Sequence, residues 1–318
     1  MKERIDYLDK AKGISIVLVV FLHIPSTIDF VGYDLWGGWI RTFYMPLFFL
    51  SSGLFFRPTN LWKKVRRLLV PLFSFNVLSL LYENVRRVLK GDDIDVVQQI
   101  QSCFGLTGCF SNPPLWFLLS LIEILFIAYF GIKYFKPIIC YSISVLLGML
   151  SSILASYKVV LPFYIEPSML CISCFLTGYY GNSIILSMKK WQMFLALLAS
   201  VLFFMIKPEI STISDVFIPQ GFILFFLASV LGSIGIFGVC KIIGGYIGRA
   251  LDYFGKNSLI VLGTHWILLA IPIILSKLIS NIYLCDTIGL IIILLIEIPI
   301  IFFINHKAPW IVGKFQNK

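Results

Sequence analysis

The sequence predicts an all-α membrane protein, a bundle of about ten transmembrane helices with both termini in the cytoplasm. Three observations support this fold: the composition, the length of the apolar runs and the distribution of the basic residues. Of the 318 residues, 59% are hydrophobic and 13% are charged, and the mean hydropathy is +0.93. Soluble domains are nearer half apolar and a quarter charged. The composition therefore excludes a soluble globular protein, a disordered chain and a collagen-like repeat.

Apolar runs divide the chain into ten segments of about 15–20 residues, near the length that a helix needs to cross ~30 Å of hydrocarbon. In order, they lie at roughly 13–30, 38–56, 68–82, 115–131, 137–156, 168–186, 191–207, 220–238, 258–276 and 287–304. The third is the least sharply bounded, because its apolar pattern continues to Leu89. No soluble segment interrupts the series, so residues 1–318 are predicted to form one membrane domain.

Basic residues predict the orientation of the bundle. With the N-terminus in the cytoplasm, nineteen lysines and arginines fall on cytoplasmic segments and seven on outer segments. Such an excess is typical of the cytoplasmic side of membrane proteins. The net charge of +10 is therefore attributed to these loops and to membrane lipids, not to nucleic-acid binding. No cleavage site follows the first span, so we expect an uncleaved helix and a multi-pass protein of the inner (plasma) membrane.

The seven cysteines do not indicate a metal site. Cys171 and Cys174 form a CxxC pair, but their neighbours are apolar and no histidine is near in sequence, so we interpret them as packing residues. Cys103 and Cys109 share a polar outer loop, where their spacing allows a disulfide in an oxidising compartment. The odd number of cysteines argues against relying on that pairing.

His23 is the first ionisable side chain that lies deep in a span. It follows Lys12 by eleven residues, a helical rotation of about 1100°, so both side chains share one face and His23 lies ~16 Å deeper. A buried imidazole is costly in a membrane and needs a reason. The functional interpretation is a catalytic group below a basic entrance, and the alternative is a core histidine bonded to a neighbouring helix.

A second basic group directly precedes the third span and consists of Lys63, Lys64, Arg66 and Arg67. It lies on the same predicted side of the membrane as Lys12. Several cations around one entrance suit the phosphates of coenzyme A. The alternative is a patch that only orients the protein during insertion.

Three other ionisable residues, Glu123, His265 and Glu297, lie within predicted spans. Trp116 precedes Glu123 by seven residues and shares its helix face. Pro299 frees a backbone carbonyl that is a candidate partner for Glu297. Each of the three is either a functional group or a structural polar group.

Several motifs occur in the order typical of the acyltransferase family 3 membrane proteins. The segment Tyr7-Leu-Asp-Lys-Ala-Lys-Gly-Ile14, running on to His23, resembles the start of that family and looks most like its fucose 4-O-acetylase-like branch. Further similar segments are Phe43-Tyr-Met-Pro-Leu-Phe-Phe-Leu-Ser-Ser-Gly53, the basic run Lys63–Pro71, Pro114-Leu-Trp-Phe-Leu-Leu119, and Gly255-Lys-Asn-Ser-Leu259 followed by His265. The sequence departs from the family where many members have Arg in place of Lys12 and His in place of Tyr44.

The resemblance implies transfer of an acyl group from a cytoplasmic acyl-CoA, with acetyl-CoA expected, to a sugar hydroxyl of a cell-surface polysaccharide or glycolipid. It implies His23 as general base and the basic side chains Lys12, Lys64, Arg66 and Arg67 as ligands of the co-substrate. Tyr44, Trp116, Glu123 and His265 are the candidate contacts of the sugar, and no metal is expected. The alternatives are a transporter or flippase for a lipid-linked sugar and a non-catalytic scaffold.

The acceptor is expected to reach the acyl group from the outer face, because His23 lies beyond the basic entrance. The outer loop around Ser102–Pro114 is positioned to line that route. Trp36, Trp39 and Tyr44 lie in the outer half of the second span, where they either stack on sugar rings or form an interfacial aromatic belt. Arg41 is expected to reach the headgroups.

Overall fold

A computed structural model describes residues 5–24, 37–103, 111–159, 161–206 and 221–314. All regular secondary structure in these ranges is helical, which confirms the all-α prediction. The α-helices are α1 (Asp6–His23), α2 (Gly38–Phe43), α3 (Pro46–Leu54), α4 (Leu61–Lys90), α5 (Val96–Cys103), α6 (Trp116–Tyr134), α7 (Pro137–Ser156), α8 (Ile165–Tyr180), α9 (Asn182–Ser187), α10 (Lys190–Met205), α11 (Phe222–Cys240), α12 (Gly245–Lys256), α13 (Ser258–Leu268), α14 (Ala270–Leu275) and α15 (Ile282–Lys307).

Within the described ranges, six helical stretches are long and apolar enough to cross a membrane, so the chain is a polytopic helical bundle. They are Leu61–Lys90, Pro113–Tyr134, Pro137–Ser156, Phe222–Cys240, Ser258–Leu275 and Ile282–Lys307. They match the third, fourth, fifth, eighth, ninth and tenth predicted spans. The other predicted spans correspond to shorter or broken helices, and the count of ten and the cytoplasmic termini stay predictions.

The second predicted span is broken into α2 and α3 at Tyr44 and Met45. Pro46 begins α3, and proline has no N–H to bond the carbonyl four residues earlier, at Thr42. The hydroxyl oxygen of Ser229, on α11, lies 2.5 Å from that carbonyl oxygen. A side chain of a neighbouring helix thus lies within hydrogen-bonding distance of the group that the proline leaves unbonded, and its one proton is shared between this carbonyl and that of Phe225.

Two pairs of helices cross at contacts so close that only glycine fits. Gly13 of α1 and Gly255 of α12 meet where an added Cβ would lie 2.0 Å from the Leu251 carbonyl oxygen and 1.7 Å from the Asp9 carbonyl oxygen, respectively. At Gly53 of α3 an added Cβ would lie 1.9 Å from a backbone carbonyl oxygen of α8. The first crossing holds α12, and the start of α13 that follows it, against α1 at the level of Lys12.

The larger apolar core fills the interior of the bundle. It includes the fully buried rings of Phe49, Phe75, Phe175 and Phe225. The described cysteines Cys140, Cys171, Cys174, Cys240 and Cys285 are buried free thiols, as expected for Cys171 and Cys174, which were interpreted as packing residues. Trp36, Cys109 and the side chain of Cys103 lie outside the described residues, so the predicted disulfide stays untested.

Candidate active site

Two histidines that lie far apart in the sequence meet inside the bundle. The ring centroids of His23 and His265 are 5.3 Å apart, and the indole of Trp266 lies 5.9 Å from His23, edge to face. His265 is fully buried, whereas His23 is half-buried at the last residue of α1. The structure thus brings the predicted catalytic residue together with one of the predicted sugar contacts.

Backbone hydrogen bonds define the tautomer of both imidazoles. Nδ1 of His23 lies 2.7 Å from the Val19 carbonyl oxygen, and Nδ1 of His265 lies 2.7 Å from the Val261 carbonyl oxygen. A carbonyl only accepts, so each Nδ1 carries the proton and donates it. Each neutral ring therefore has its lone pair on Nε2, which is the atom that a general base uses to accept a proton.

A cavity of about 180 Å³ extends from Lys12 into the apolar interior between α1, α3, α4, α6 and α13. Lys12 and Ser258 are polar side chains in its wall, and Ile16 lies one turn from Lys12 towards His23. The remaining wall is mainly apolar and includes Met45 and Leu262. The cavity combines a cationic end with an apolar slot, which suits a ligand that has a charged head and a flexible, largely uncharged arm.

The basic run at the start of α4 lies beside this cavity. Leu68 lines the cavity, and Lys64 is on the same helix face one turn earlier. The ammonium group of Lys64 donates to the Arg57 carbonyl oxygen at 2.8 Å and to the Thr59 carbonyl oxygen. Lys64 therefore bonds the backbone of the loop that precedes α4. Arg66 and Arg67 are exposed.

Several buried polar side chains contact the part of α13 that carries His265. The side-chain amide of Asn112 donates to the Gly263 carbonyl oxygen at 2.8 Å and to the Ser79 hydroxyl at 2.9 Å. The hydroxyl of Thr264 lies 2.8 and 2.9 Å from the two carboxyl oxygens of Glu297, which is fully buried. Thr264, not the carbonyl freed by the proline of α15, is thus the described partner of Glu297.

The sequence did not reveal Asn112, Thr264 or Arg41 as neighbours of the site. The charge of Arg41 acts on His23, and the expectation that this side chain reaches the headgroups stays a prediction. A polar residue beside His265, such as Thr264, was the available signal, but the sequence does not show which helix it faces.

The other predicted sugar contacts lie in different surroundings. Glu123 accepts a hydrogen bond from Ser168 of α8, so its described partner is not part of the histidine pair. Trp116 is buried at the start of α6, with its ring centroid 6.4 Å from that of Phe117. Tyr44 is half-buried at the break between α2 and α3 and packs against the larger core.

A family model described as an acyltransferase domain, Acyl_transf_3, matches residues 5–310. The chain belongs to acyltransferase family 3. The match covers both histidines, Lys12 and the basic run, and it makes the protein a membrane acyltransferase. Comparison with curated proteins and with solved structures gives no match. The fucose 4-O-acetylase-like branch stays a prediction for this acyltransferase, as do its acyl donor and acceptor.

The acyltransferase carries, among its described residues, no group of three or more histidine, cysteine, aspartate or glutamate side chains that could hold a metal ion. The arrangement that it does carry is suited to proton transfer: a neutral imidazole with a bare Nε2, next to a second imidazole of the same tautomer. Acyl transfer to a hydroxyl needs such a base, because a hydroxyl is a weak nucleophile until its proton is removed.

Proposed function

We propose that this protein is a membrane O-acyltransferase that moves an acyl group, most simply acetyl, from acyl-CoA to a hydroxyl of a cell-surface sugar or glycolipid. The observation that carries the proposal is the geometry of His23. Its Nδ1 is held by the Val19 carbonyl, so Nε2 is available as a base, three helical turns from Lys12 on the same face of α1.

The acyl-CoA is proposed to bind with its phosphates at the Lys12 end of the cavity. Lys12, Lys64, Arg66 and Arg67 are the cations proposed for these phosphates, with Lys12 the one that lines the cavity itself. The pantetheine arm would then occupy the slot beside Ile16. Eleven residues separate Lys12 from His23, about 16 Å along the helix, so an extended arm directs the thioester towards the imidazole.

In the proposed reaction, the hydroxyl oxygen of the acceptor attacks the carbonyl carbon of the thioester while Nε2 of His23 takes the hydroxyl proton. The tetrahedral intermediate then collapses. Its C–S bond breaks, the CoA sulfur leaves with the electron pair, and His23 returns the proton to that sulfur. The products are an ester and free CoA. Arg41, whose charge reaches His23, is the proposed group that stabilises the negative charge of the intermediate.

The protein is proposed to lie in the inner membrane of the cell. The acceptor is proposed to enter from the side of that membrane opposite to Lys12. Tyr44, Trp116 and His265 are its proposed contacts. Glu123, paired with Ser168, is a weaker candidate because it contacts α8 rather than the histidine pair.

Substitution of His23 tests the function directly. We expect purified His23→Ala to lose at least ~100-fold in acetyl-CoA turnover, because a positioned base contributes about that much or more, while acetyl-CoA binding is retained. His306→Ala is the matched control: its Nδ1 also bonds the carbonyl four residues earlier, at 2.8 Å, but the residue is exposed. Near-normal turnover by His23→Ala would contradict the proposal.

A further inference from the structure

The lone pair on Nε2 of His265 has no hydrogen-bond partner among the described residues, although the atom is completely buried. A buried acceptor without a donor is destabilising, and most such groups in proteins are satisfied by a ligand or water if not by the protein. Nδ1 already fixes the ring to α13, so Nε2 is not needed to hold the side chain in place.

Two donors of the same region, Asn112 and Thr264, are already engaged. The amide of Asn112 donates to Ser79 and to the Gly263 carbonyl oxygen. The single hydroxyl proton of Thr264 faces either the Ile260 carbonyl oxygen, at 2.8 Å, or the carboxyl group of Glu297. The nearest ring of the same kind, His23, is itself an acceptor at Nε2, so it cannot donate to His265 while it acts as the base.

We propose that His265 selects acceptors with two adjacent hydroxyl groups: the reacting hydroxyl bonds His23, and its neighbour donates to Nε2 of His265. The proposal rests on the function proposed above and names the acceptor class as a vicinal diol. A single hydroxyl has one proton and satisfies one imidazole only. The ring centroids are 5.3 Å apart, so two hydroxyl groups on adjacent carbons can each face one ring once the side chains packed around His265 move to admit them.

His265 takes no part in bond making or breaking in this scheme. The reacting hydroxyl forms the new C–O bond and gives its proton to His23, as described above. The neighbouring hydroxyl keeps its proton and only shares it with His265. His265 is thus a binding residue that fixes which hydroxyl faces the thioester, and an acceptor without the second donor leaves a buried lone pair unbonded.

Small acceptors that differ in one donor test the proposal. Purified protein with acetyl-CoA would be given cis-1,2-cyclohexanediol or its monomethyl ether, and ester formation would be measured together with total CoA release. We expect kcat/KM for the diol to exceed that for the ether by about 10-fold or more, because a site built around a hydrogen bond rejects the analogue that lacks the donor.

Three variants separate a binding role from a structural one. His265→Leu should remove the preference, so that the ratio of diol to ether approaches one. His265→Gln, whose side-chain oxygen accepts a hydrogen bond, should restore part of the ratio and guards against a leucine variant that fails to fold. His306→Leu, the exposed matched control, should keep the parent ratio.

Equal use of the diol and the ether by the parent protein would overturn the inference. So would a His265→Leu variant that loses activity equally on both acceptors, because that result indicates a structural role. Failure of the proposed function looks different: the parent protein would release no CoA with any acceptor, water included, and the inference would fall with it.

Discussion

The three histidines of the chain share one local hydrogen bond but differ in burial and in the groups that surround them. In each, Nδ1 lies 2.7–2.8 Å from the carbonyl oxygen four residues earlier. His306 is exposed and stacks on Phe302 with centroids 4.2 Å apart. His23 and His265 instead face each other in the interior. Identical helix bonds thus leave one ring at the surface and two rings packed together inside the bundle.

Lys12 is expected to determine affinity for the acyl-CoA. In Lys12→Gln, the apparent KM for acetyl-CoA should rise about 10-fold with a smaller change in kcat, because a charge-assisted hydrogen bond to phosphate is lost. The difference from the parent should shrink as salt is added, since screening weakens the contact in the parent. Steady-state kinetics at two ionic strengths measure both effects.

Lys136→Gln is the control for this substitution, because Lys136 has the same charge, is exposed, lies outside the basic run and does not line the cavity. It should leave the KM for acetyl-CoA within about two-fold of the parent value. Equal KM values for Lys12→Gln and the parent would remove Lys12 from the proposed site.

Helical periodicity was enough to predict that Lys12 and His23 share a face, because both lie on one continuous helix. The same reasoning placed Trp116 and Glu123 together, but a helix face does not say which neighbour it meets. His265 approaches His23 only because α13 packs against α1, a contact between opposite ends of the chain. Sequence reasoning therefore led to His23 as the proposed base, but not to the second histidine that packs against it.

At the scale of the helices, the crossing of α1 and α12 positions the entrance of the cavity. Gly13 adjoins Lys12, and Gly255 lies three residues before Ser258, which lines the same cavity. Backbone atoms, rather than flexible side chains, form this contact. A larger residue at either glycine would have to push α1 and α12 apart, and this movement would change the shape of the cavity beside them.

Gly13→Ala and Gly255→Ala should each destabilise the protein by about 2–3 kcal/mol, because the added methyl meets backbone and cannot be accommodated by a rotamer change. The unfolding midpoint in detergent should fall by several degrees, and the KM for acetyl-CoA should rise. Gly244→Ala is the control, since its Cβ would meet nothing within 4 Å. Parent-like stability of both crossing variants would contradict the close contact.

The second span shows why element boundaries were harder to predict than element type. Its composition is apolar throughout, so hydropathy gave one helix, yet Pro46 breaks it and Ser229 of another helix meets the carbonyl that the proline leaves unbonded. The proline was visible in the sequence. Its partner was not, because that contact joins residues far apart in the chain.

At the scale of the whole molecule, the basic entrance and the outer loop lie at opposite ends of the proposed reaction path. The charge bias of nineteen to seven places Lys12 on the predicted cytoplasmic side. Asn112, which follows the outer loop, reaches into the bundle and bonds the backbone two residues before His265. On the predicted topology, contacts from the two sides of the membrane therefore converge on the histidine pair.

Transfer should accordingly occur between substrates on opposite sides of a membrane. In vesicles with a defined orientation, acetyl-CoA supplied at the Lys12 side should acetylate sucrose that is confined to the other side. The His23→Ala variant in the same vesicles controls for leakage and uncatalysed transfer. Product that forms only when sucrose shares the compartment of acetyl-CoA would show that the acceptor arrives from the cytoplasm.

The position of His23 at the very end of α1 has an electrostatic consequence. The aligned peptide dipoles of a helix sum to about half a negative charge at its C-terminus. An imidazole that takes a proton there becomes a cation beside the negative pole, an interaction of about 0.3–1 kcal/mol. A first helix that continued through the membrane would carry this pole away from the ring, so a helix that ends at His23 lets the backbone itself favour the proposed proton transfer.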